Sequence, residues 1–239
     1  MKKHIHTGVR FELKVTDMKR ELKLDESMMS EFDSILDAAM EVADPKLIYR
    51  CVDVALEGDR DVILDGVRFS SRVLNVNLRG VDVVYPYVVT SGHELYEYAM
   101  SLDDPLERYW ADVISERILH SALQSSKIMI QFNEVIFTLY AMNPGSLPDW
   151  PISQQRPLFD LLGGVEDDIH VHLGETFLMT PIKTVSGLFF ESEEHYSNCS
   201  LCPREGCVGR REPFDPALAS EKYGLGDEAQ VDVMLTESM

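Results

Sequence analysis

Two stretches of the chain carry apolar residues at spacings of three and four, the spacing that gathers side chains on one face of a helix. The first follows Ser27, a suitable helix cap, and the second follows Asp104-Pro105, where an acidic cap precedes a proline suited to the first turn. The second stretch predicts a helix of about 25 residues, from residue 105 towards residue 130. The apolar members of the first stretch are Met28, Met29, Phe32, Ile35, Leu36, Ala39 and Met40.

Alternating or β-branched segments predict strands elsewhere in the chain. Residues 62–90 are rich in Val, Ile, Phe and Tyr, and turn-like Asp65-Gly66 and Arg79-Gly80 divide them into consecutive strands. Strands joined by short turns and mixed with one long helix favour an α+β fold, with a largely antiparallel twisted sheet and flanking helices. The remaining candidate elements are strands at residues 10–15, 134–141, 169–173 and 185–190 and a short helix at residues 153–162.

The composition and charge limit the class of protein and its partners. We expect residues 1–213 to form a single unit, with residues 1–100 as an N-terminal α/β subregion, and residues 214–239 to form an acidic, mobile C-terminal tail. The net charge of −19 would repel nucleic acid and anionic lipid, so neither is an expected partner. No apolar run reaches the roughly 18 residues that span a bilayer, and the N-terminus lacks a secretory signal, so we expect a cytoplasmic protein.

The loop at residues 143–151 concentrates proline and glycine. It reads Asn143, Pro144, Gly145, Ser146, Leu147, Pro148, Asp149, Trp150 and Pro151. Prolines fix the backbone and glycine allows a close approach, so such a loop presents backbone groups to a ligand in a preset geometry. The alternative is a stiff connector between a strand and a helix. The apolar segment at residues 178–190 predicts a buried strand that follows a bend.

Three of the four cysteines form a Cys-x2-Cys-x4-Cys array made of Cys199, Cys202 and Cys207. Thiolates at this spacing can bind zinc or an iron–sulfur cluster, with Cys51 as a candidate fourth ligand. The alternative is a set of reduced or redox-active thiols, because three ligands are fewer than a closed structural site needs. The sequence shows no convincing catalytic triad or carboxylate pair, so no catalytic side chain is assigned.

Two runs of the sequence resemble the C-terminal activation domain of cobalamin-dependent methionine synthase. They are NPGSLPDWPISQQRPLFDLLGG at residues 143–164 and VHLGETFLMTPIKTVSGLFF at residues 171–190. That family has a Pro-Gly loop, a helix ending in Leu-Leu and a Val-Ser-Gly-aromatic-aromatic strand in the same order. The resemblance covers residues 139–200, and NCSLCPREGCVGRREPFD at residues 198–215 is similar to the cysteine-rich end of standalone members.

The resemblance implies an S-adenosylmethionine site. The implied contacts are Asn143, Pro144, Gly145 and Ser146, with Tyr196 matching a family tyrosine after the aromatic strand. The chain departs from the family at two places. Ala141 stands where the family has an arginine expected to pair with the methionine carboxylate, and Ser146 replaces an aromatic residue. Lys183 and Arg156 are the candidate replacements for that arginine.

The implied function is the reductive reactivation of a cobalamin-dependent methionine synthase, a step in methionine biosynthesis. The chain would supply S-adenosylmethionine to the cob(II)alamin of that synthase or of another corrinoid protein, with flavodoxin or ferredoxin as the electron donor. The alternatives are a non-catalytic binding partner of a corrinoid protein and a cysteine-ligated iron–sulfur or zinc redox protein. Residues 168–174 nearly match the Asp-x-His-x-x-Gly motif of corrinoid-binding modules, but their alternation favours an ordinary strand with His170 and His172 on one face.

Overall fold

The structure is a computed structural model that describes residues 2–225. In that part of the chain the strands are β1 Lys3–His6, β2 Lys46–Arg50, β3 Val52–Glu57, β4 Asp61–Leu64, β5 Val67–Ser70, β6 Val83–Thr90, β7 Leu139–Met142, β8 His172–Leu173, β9 Met179–Thr180 and β10 Thr184–Glu191. The α-helices are α1 Val15–Glu21, α2 Glu26–Val42, α3 Arg72–Asn77, α4 His93–Ser101, α5 Pro105–Glu134, α6 Gln155–Leu162 and α7 Val165–Ile169.

Strand β6 is the centre of the main sheet. It pairs with β10 along one edge, and it pairs with β2 and β3 at successive positions along the other. Strand β1 extends the sheet beyond β2, β4 and β5 extend it beyond β3, and β7 pairs with β10. The named pairs are antiparallel, which confirms the predicted antiparallel sheet with flanking helices.

Helices cover both faces of this sheet. Because successive side chains of a strand point to opposite faces, Tyr49 and Tyr87 face one helical layer while Ile48 and Val88 face the other. The first layer is α5, and the second is formed by α6 and α7. Helices α2 and α4 pack on the first half of α5, where Phe32 meets Trp110 edge to face at 5.8 Å.

Helix α5 begins where the sequence predicts and runs slightly further. The Asp104 carboxylate accepts the backbone N–H groups of Leu106 and Glu107 at 2.7 and 3.2 Å, and Pro105 occupies the first turn. The helix has 30 residues and ends where Val135 adopts a left-handed backbone with φ 56°. Helix α2 is likewise confirmed, although its cap is Asp25 rather than Ser27.

Four of the predicted elements are wrong in type or in extent. In the strand predicted at residues 10–15, residues 10–14 lie outside any strand and Val15 begins α1, because Phe11 and Leu13 pack against a cluster that includes α2 and α5 and the Glu12 N–H donates to Ser121 Oγ. Within residues 62–90, α3 replaces a strand because Ser71 caps it. Helix α5 covers the start of the strand predicted at residues 134–141. Helix α7 ends at Ile169, so the strand predicted at residues 169–173 shrinks to β8.

The segment after residue 213 is packed for part of its length. Residues 218–222 form a helical turn, and Tyr223 is buried with its hydroxyl donating to Asn77 Oδ1 at 2.7 Å. The rest of the predicted tail, residues 226–239, lies outside the described residues. In the part of the chain that the structure describes, no helix combines the length and apolarity needed to cross a bilayer.

Two buried tyrosines that pack with α5 should make the folded protein less stable at alkaline pH. Burial is the main cause that raises the pKa of Tyr49 and of Tyr85 to about 12. Unfolded tyrosine ionises near pH 10, so the unfolded state binds fewer protons than the folded state from there upwards. The free energy of unfolding should therefore fall between about pH 10 and about pH 12, by at most about 1.4 kcal/mol per pH unit for each tyrosine.

Urea unfolding at a series of pH values measures this slope. Tyr85→Phe should make the slope shallower above pH 10 than it is in the unaltered chain. An identical slope in both proteins would contradict the assignment to Tyr85.

Candidate functional site

The loop of residues 143–151 follows β7 and is held in place from inside. Leu147 and Trp150 are buried, and the Gly145 N–H donates to the Trp150 carbonyl at 2.8 Å. Gly145 has φ +82°, and a Cβ there would lie 2.8 Å from Ile152 Cδ1, so glycine is required. Gly145 and Ser146 are exposed at the tip, whereas Pro144 is buried. The loop is therefore rigid and presents two adjacent residues to solvent.

Asp149 ties this loop to helix α3. Its side chain is 6% exposed and accepts hydrogen bonds from Ser71 Oγ at 2.6 Å and from the Val73 N–H at 2.9 Å. The same carboxylate pairs with Arg60 at 3.0 Å. A buried carboxylate with three donors fixes the loop against the β4–β5 side of the sheet.

A chain of hydrogen bonds connects Asn143 to Tyr196. Asn143 Nδ2 donates to Tyr87 Oη at 2.9 Å and to the Ser186 carbonyl at 2.8 Å, while its Oδ1 accepts from Asn198 Nδ2 at 3.3 Å. The Tyr196 hydroxyl donates to Asn198 Oδ1 at 2.7 Å. The structure thus brings Asn143 and Tyr196 together through Asn198. Both side chains support the loop from beneath, with Tyr196 buried and Asn143 half-buried.

Gly187 explains the Val-Ser-Gly pattern of β10. A Cβ at Gly187 would lie 2.6 Å from Asn143 Nδ2, and it would meet the Met142 carbonyl oxygen even more closely. Contacts below 3.0 Å are incompatible with an ordinary side chain. Only glycine lets the Asn143 side chain cross β10 to reach Tyr87.

The network beneath the loop is uncharged. Burial raises the pKa of Tyr196 well above its usual range and also raises that of Tyr87. Both phenols therefore stay protonated and keep their hydrogen-bonding roles at neutral pH. Any positive charge for a ligand carboxylate must come from another part of the site.

The two cations that the sequence suggested as replacements are already engaged. Lys183 Nζ pairs with Asp112 at 2.9 Å and with Glu116 at 3.5 Å. Arg156 donates to the backbone carbonyls of Leu173 and Gly174. Ala141 lies in β7 opposite Phe189 and is half-buried. Lys183 is therefore already paired with carboxylates, Arg156 already donates to two carbonyls, and Ala141 carries no charge.

Arg211 is a cation that the sequence did not suggest. Its side chain is exposed and forms no ion pair within residues 2–225. Its charge acts on Tyr87 and on His120. Burial raises the pKa of Tyr87 and Arg211 opposes that rise, whereas burial lowers the pKa of His120 and Arg211 contributes to the lowering. The Arg211 charge therefore acts on the phenol that Asn143 contacts.

A cavity of about 390 Å³ lies between α4, the start of α5 and the turn at Pro181. Its apolar walls include Met100, Tyr109 and Ile182, and Lys183 is at its rim. Its volume is within the range of small-molecule sites. It is a second place where an organic ligand would fit.

The cysteine array is less compact than its spacing suggests. Cys199 and Cys202 are half-buried and Cys207 is exposed. The Arg211 N–H donates to Cys199 Sγ at 3.5 Å. The three sulfur atoms do not form a group within 4.8 Å of one another, and Cys51 belongs to a different group; this holds for the part of the chain that is described. A metal or cluster at the array stays a prediction.

The histidine motif at residues 168–174 forms no compact ligand group in the described region. Asp168 pairs with Lys3 at 2.5 Å, and His170 ends α7 in a left-handed backbone conformation with φ 56°. His172 lies in β8, where its Nδ1 is 3.1 Å from Glu166. These residues serve the local structure of α7 and β8.

The chain thus combines an antiparallel sheet covered by helices on both faces with an asparagine–tyrosine network beneath a proline-bracketed loop. A solved structure of the MetH reactivation domain bound to AdoHcy matches the chain with a TM-score of 0.62 and 15% identity, covering 83% of this chain and 81% of that chain. The chain therefore has the fold of the MetH reactivation domain, as the sequence predicts. No protein-family model and no curated protein sequence matches the chain.

Four residues that bear on this loop were not predicted as site residues from the sequence. Asp149 stood inside the quoted loop, but only the structure shows that it anchors α3. Gly187 was visible in the Val-Ser-Gly run, and its role needed the position of Asn143. Asn198 and Arg211 lie on either side of the cysteine array, and their relation to Asn143 and Tyr87 arises only in the folded chain.

Proposed function

We propose that this protein binds S-adenosylmethionine at the tip of the 143–151 loop and presents its methyl group to the cobalt of a corrinoid carried by a partner protein. The partner would be a cobalamin-dependent methionine synthase, and the outcome would be its reactivation. The observation that carries the proposal is the fold shared with a reactivation domain that was solved with AdoHcy bound. AdoHcy is what S-adenosylmethionine becomes when its methyl group leaves.

The loop supports this proposal by its rigidity. Gly145 and Ser146 are exposed at a tip whose base is anchored by Trp150, Asp149 and Asn143. The Ser146 hydroxyl forms no hydrogen bond within residues 2–225, so it is available to a ligand. A preset loop loses little conformational entropy when a ligand binds, which favours affinity.

Arg211 supports the proposal by its charge. A methionine carboxylate needs a cationic partner, and Ala141 supplies none. In the proposed complex, the Arg211 guanidinium binds that carboxylate from the segment that follows the cysteine array. Lys183 is already paired with Asp112, and Arg156 already donates to backbone carbonyls.

The protein's chemical contribution would be proximity and orientation. The partner's corrinoid would take one electron from flavodoxin or ferredoxin and the methyl group from the sulfonium, leaving AdoHcy. Holding the two reactants in line contributes several kcal/mol towards the barrier without a general acid or a nucleophile. The neutral Tyr87–Asn143–Tyr196 network agrees with that role, because it contains no group that titrates near pH 7.

Calorimetry with S-adenosylmethionine tests the proposal. We expect binding by the unaltered chain and an affinity about 10- to 150-fold lower in Arg211→Ala, equivalent to about 1.5–3 kcal/mol for a hydrogen bond to a charged group. Arg204→Ala is the matched control, because it removes an exposed arginine from the same segment. Tyr109→Ala alters the 390 Å³ cavity and should leave the affinity unchanged.

The same titration is repeated with a cobalamin-loaded partner, followed by an assay for methylcobalamin in the presence of an electron donor. Heat and methylcobalamin are expected. The absence of heat both with and without the partner would contradict the proposal and favour a non-catalytic corrinoid-protein partner, which the replacement of the family residues by Ala141 and Ser146 would then explain. A loss of affinity in Tyr109→Ala that matched the loss in Arg211→Ala would move the site to the cavity.

A further inference from the structure

Three possible metal ligands meet at the edge of the sheet below the end of α5. They are His4 in β1, Cys51 at the junction of β2 and β3, and Glu134 at the last position of α5. One ligand atom from each lies within 4.8 Å of the others, and all three residues are half-buried. The sequence separates them widely, so only the fold brings them together.

Tyr49 holds two of these side chains in place. Its buried hydroxyl donates to Glu134 Oε1 at 2.9 Å and accepts from Asn133 Nδ2 at 3.2 Å. The His4 ring stacks on the Tyr49 ring with centroids 4.6 Å apart and an angle of 11° between the planes. The carboxylate and the imidazole are therefore oriented before any ion binds, as the outer partners of metal ligands do in known sites.

The end of α5 carries backbone strain next to this group. Val135 follows Glu134 directly and has φ 56° and ψ 52°, a left-handed conformation that is unfavourable for a β-branched residue. Such outliers persist where the surrounding structure requires them, often at functional positions. Here the conformation ends the helix so that Glu134 is its last residue and stays beside Tyr49.

A further imidazole lies beside the group. His6 is two residues after His4 on the same strand, and its ring stacks on Tyr49 with centroids 6.0 Å apart. Its Nε2 is buried without a hydrogen-bond partner among the described residues. Buried polar atoms are normally satisfied, so this nitrogen is available to a partner from outside the chain, such as an ion or its bound water.

We propose that His4, Cys51 and Glu134 bind one divalent transition-metal ion, with zinc the best match. An imidazole nitrogen, a thiolate and a carboxylate are the three ligand types that zinc takes in proteins. Three protein ligands leave the fourth tetrahedral position open to water or to His6. The ion would link the edge strand β1 and the β2–β3 junction to the end of α5. This site is separate from the cysteine array and does not depend on the proposed function.

Titration of the metal-free protein with Co²⁺, a coloured substitute for Zn²⁺, tests the site. We expect one equivalent to give thiolate-to-cobalt absorption in the unaltered chain, and Zn²⁺ to displace it. The band should persist in the triple variant Cys199→Ser, Cys202→Ser, Cys207→Ser and disappear in Cys51→Ser. A band kept in Cys51→Ser and lost in the triple variant would overturn the proposal and place the metal at the array.

A second measurement needs no ligand substitution and therefore does not depend on a variant that folds. Zn²⁺ should slow the alkylation of Cys51 in the unaltered protein, read peptide by peptide by mass spectrometry, and should leave that of Cys207 unchanged. Equal alkylation of Cys51 with and without Zn²⁺ would overturn the proposal. Tyr49→Phe keeps all three ligands and removes the hydrogen bonds of the Tyr49 hydroxyl to Glu134 and from Asn133, so it should lower the affinity for Zn²⁺ about 10- to 100-fold.

Discussion

Replacing Gly187 with alanine is expected to lower the free energy of unfolding by about 3 kcal/mol, the upper end of the range for an inserted methyl group. The new Cβ would lie 2.6 Å from Asn143 Nδ2 and would also press on the Met142 carbonyl. Backbone atoms of the paired strands β7 and β10 cannot move aside as a flexible side chain could. The same substitution should displace Asn143 from Tyr87 and reduce the binding of S-adenosylmethionine.

Urea unfolding measures the stability change, and calorimetry measures the change in binding. Gly209→Ala is the matched control, because its added Cβ meets nothing within 4 Å and its φ is not positive. We expect that control to stay within about 0.5 kcal/mol of the unaltered chain. If Gly187→Ala behaved like Gly209→Ala, the close crossing of Asn143 over β10 would be wrong.

Replacing Asp149 with alanine is expected to cost about 3–5 kcal/mol of stability, because two donors lose a charged acceptor at about 1.5–3 kcal/mol for each hydrogen bond. The substitution leaves Ser71 Oγ and the Val73 N–H without their acceptor, and both lie at the start of α3. It also releases the 143–151 loop from the rest of the sheet. Urea unfolding should show the loss, with a parallel decrease in S-adenosylmethionine binding.

Arg60→Ala removes the other member of the same ion pair and is the informative comparison. The Arg60 side chain is 51% exposed, and exposed ion pairs contribute only about 0–1 kcal/mol. The Asp149 carboxylate keeps its two neutral donors in this variant. A cost for Arg60→Ala as large as that for Asp149→Ala would show that the ion pair, rather than the cap of α3, anchors the loop.

The sequence predicts best those elements whose pattern is set locally. Asp104 and Pro105 define the start of α5 because a cap and a first-turn proline act within three residues. Residues 184–191 form β10 as expected, since a continuous apolar run is typical of a strand covered on both faces. The α+β class followed from these elements and their short connections.

Other elements depended on contacts that a local pattern does not reveal. Phe11 and Leu13 alternate as they would in a half-buried strand, but their partners are helices. Ser71 caps a helix of six residues in a region whose β-branched residues favour strands. In both places tertiary packing overrides the local preference.

The candidate site likewise has parts that the sequence predicts and parts that depend on tertiary contacts. The proline-rich loop and Tyr196 were found from the sequence, and the structure links Asn143 to Tyr196 through Asn198. Their contact with a ligand stays a prediction. Arg211 could not be found from the sequence, because its relation to Tyr87 arises from two segments more than a hundred residues apart.

The hydrogen bond between the Val73 amide and the Asp149 carboxylate means that the exchange rate of this amide proton reports the position of the 143–151 loop. The first amides of a helix have no acceptor within the helix itself, and the amide of Val73 is satisfied by the Asp149 carboxylate. Exchange of the Val73 amide with deuterium should therefore be slow while the 143–151 loop is in place and faster when the loop moves away, although the loop is more than seventy positions away in the chain. Slower exchange at Val73 on adding a ligand would then indicate that the loop had been clamped, even for a ligand that touches only the loop tip.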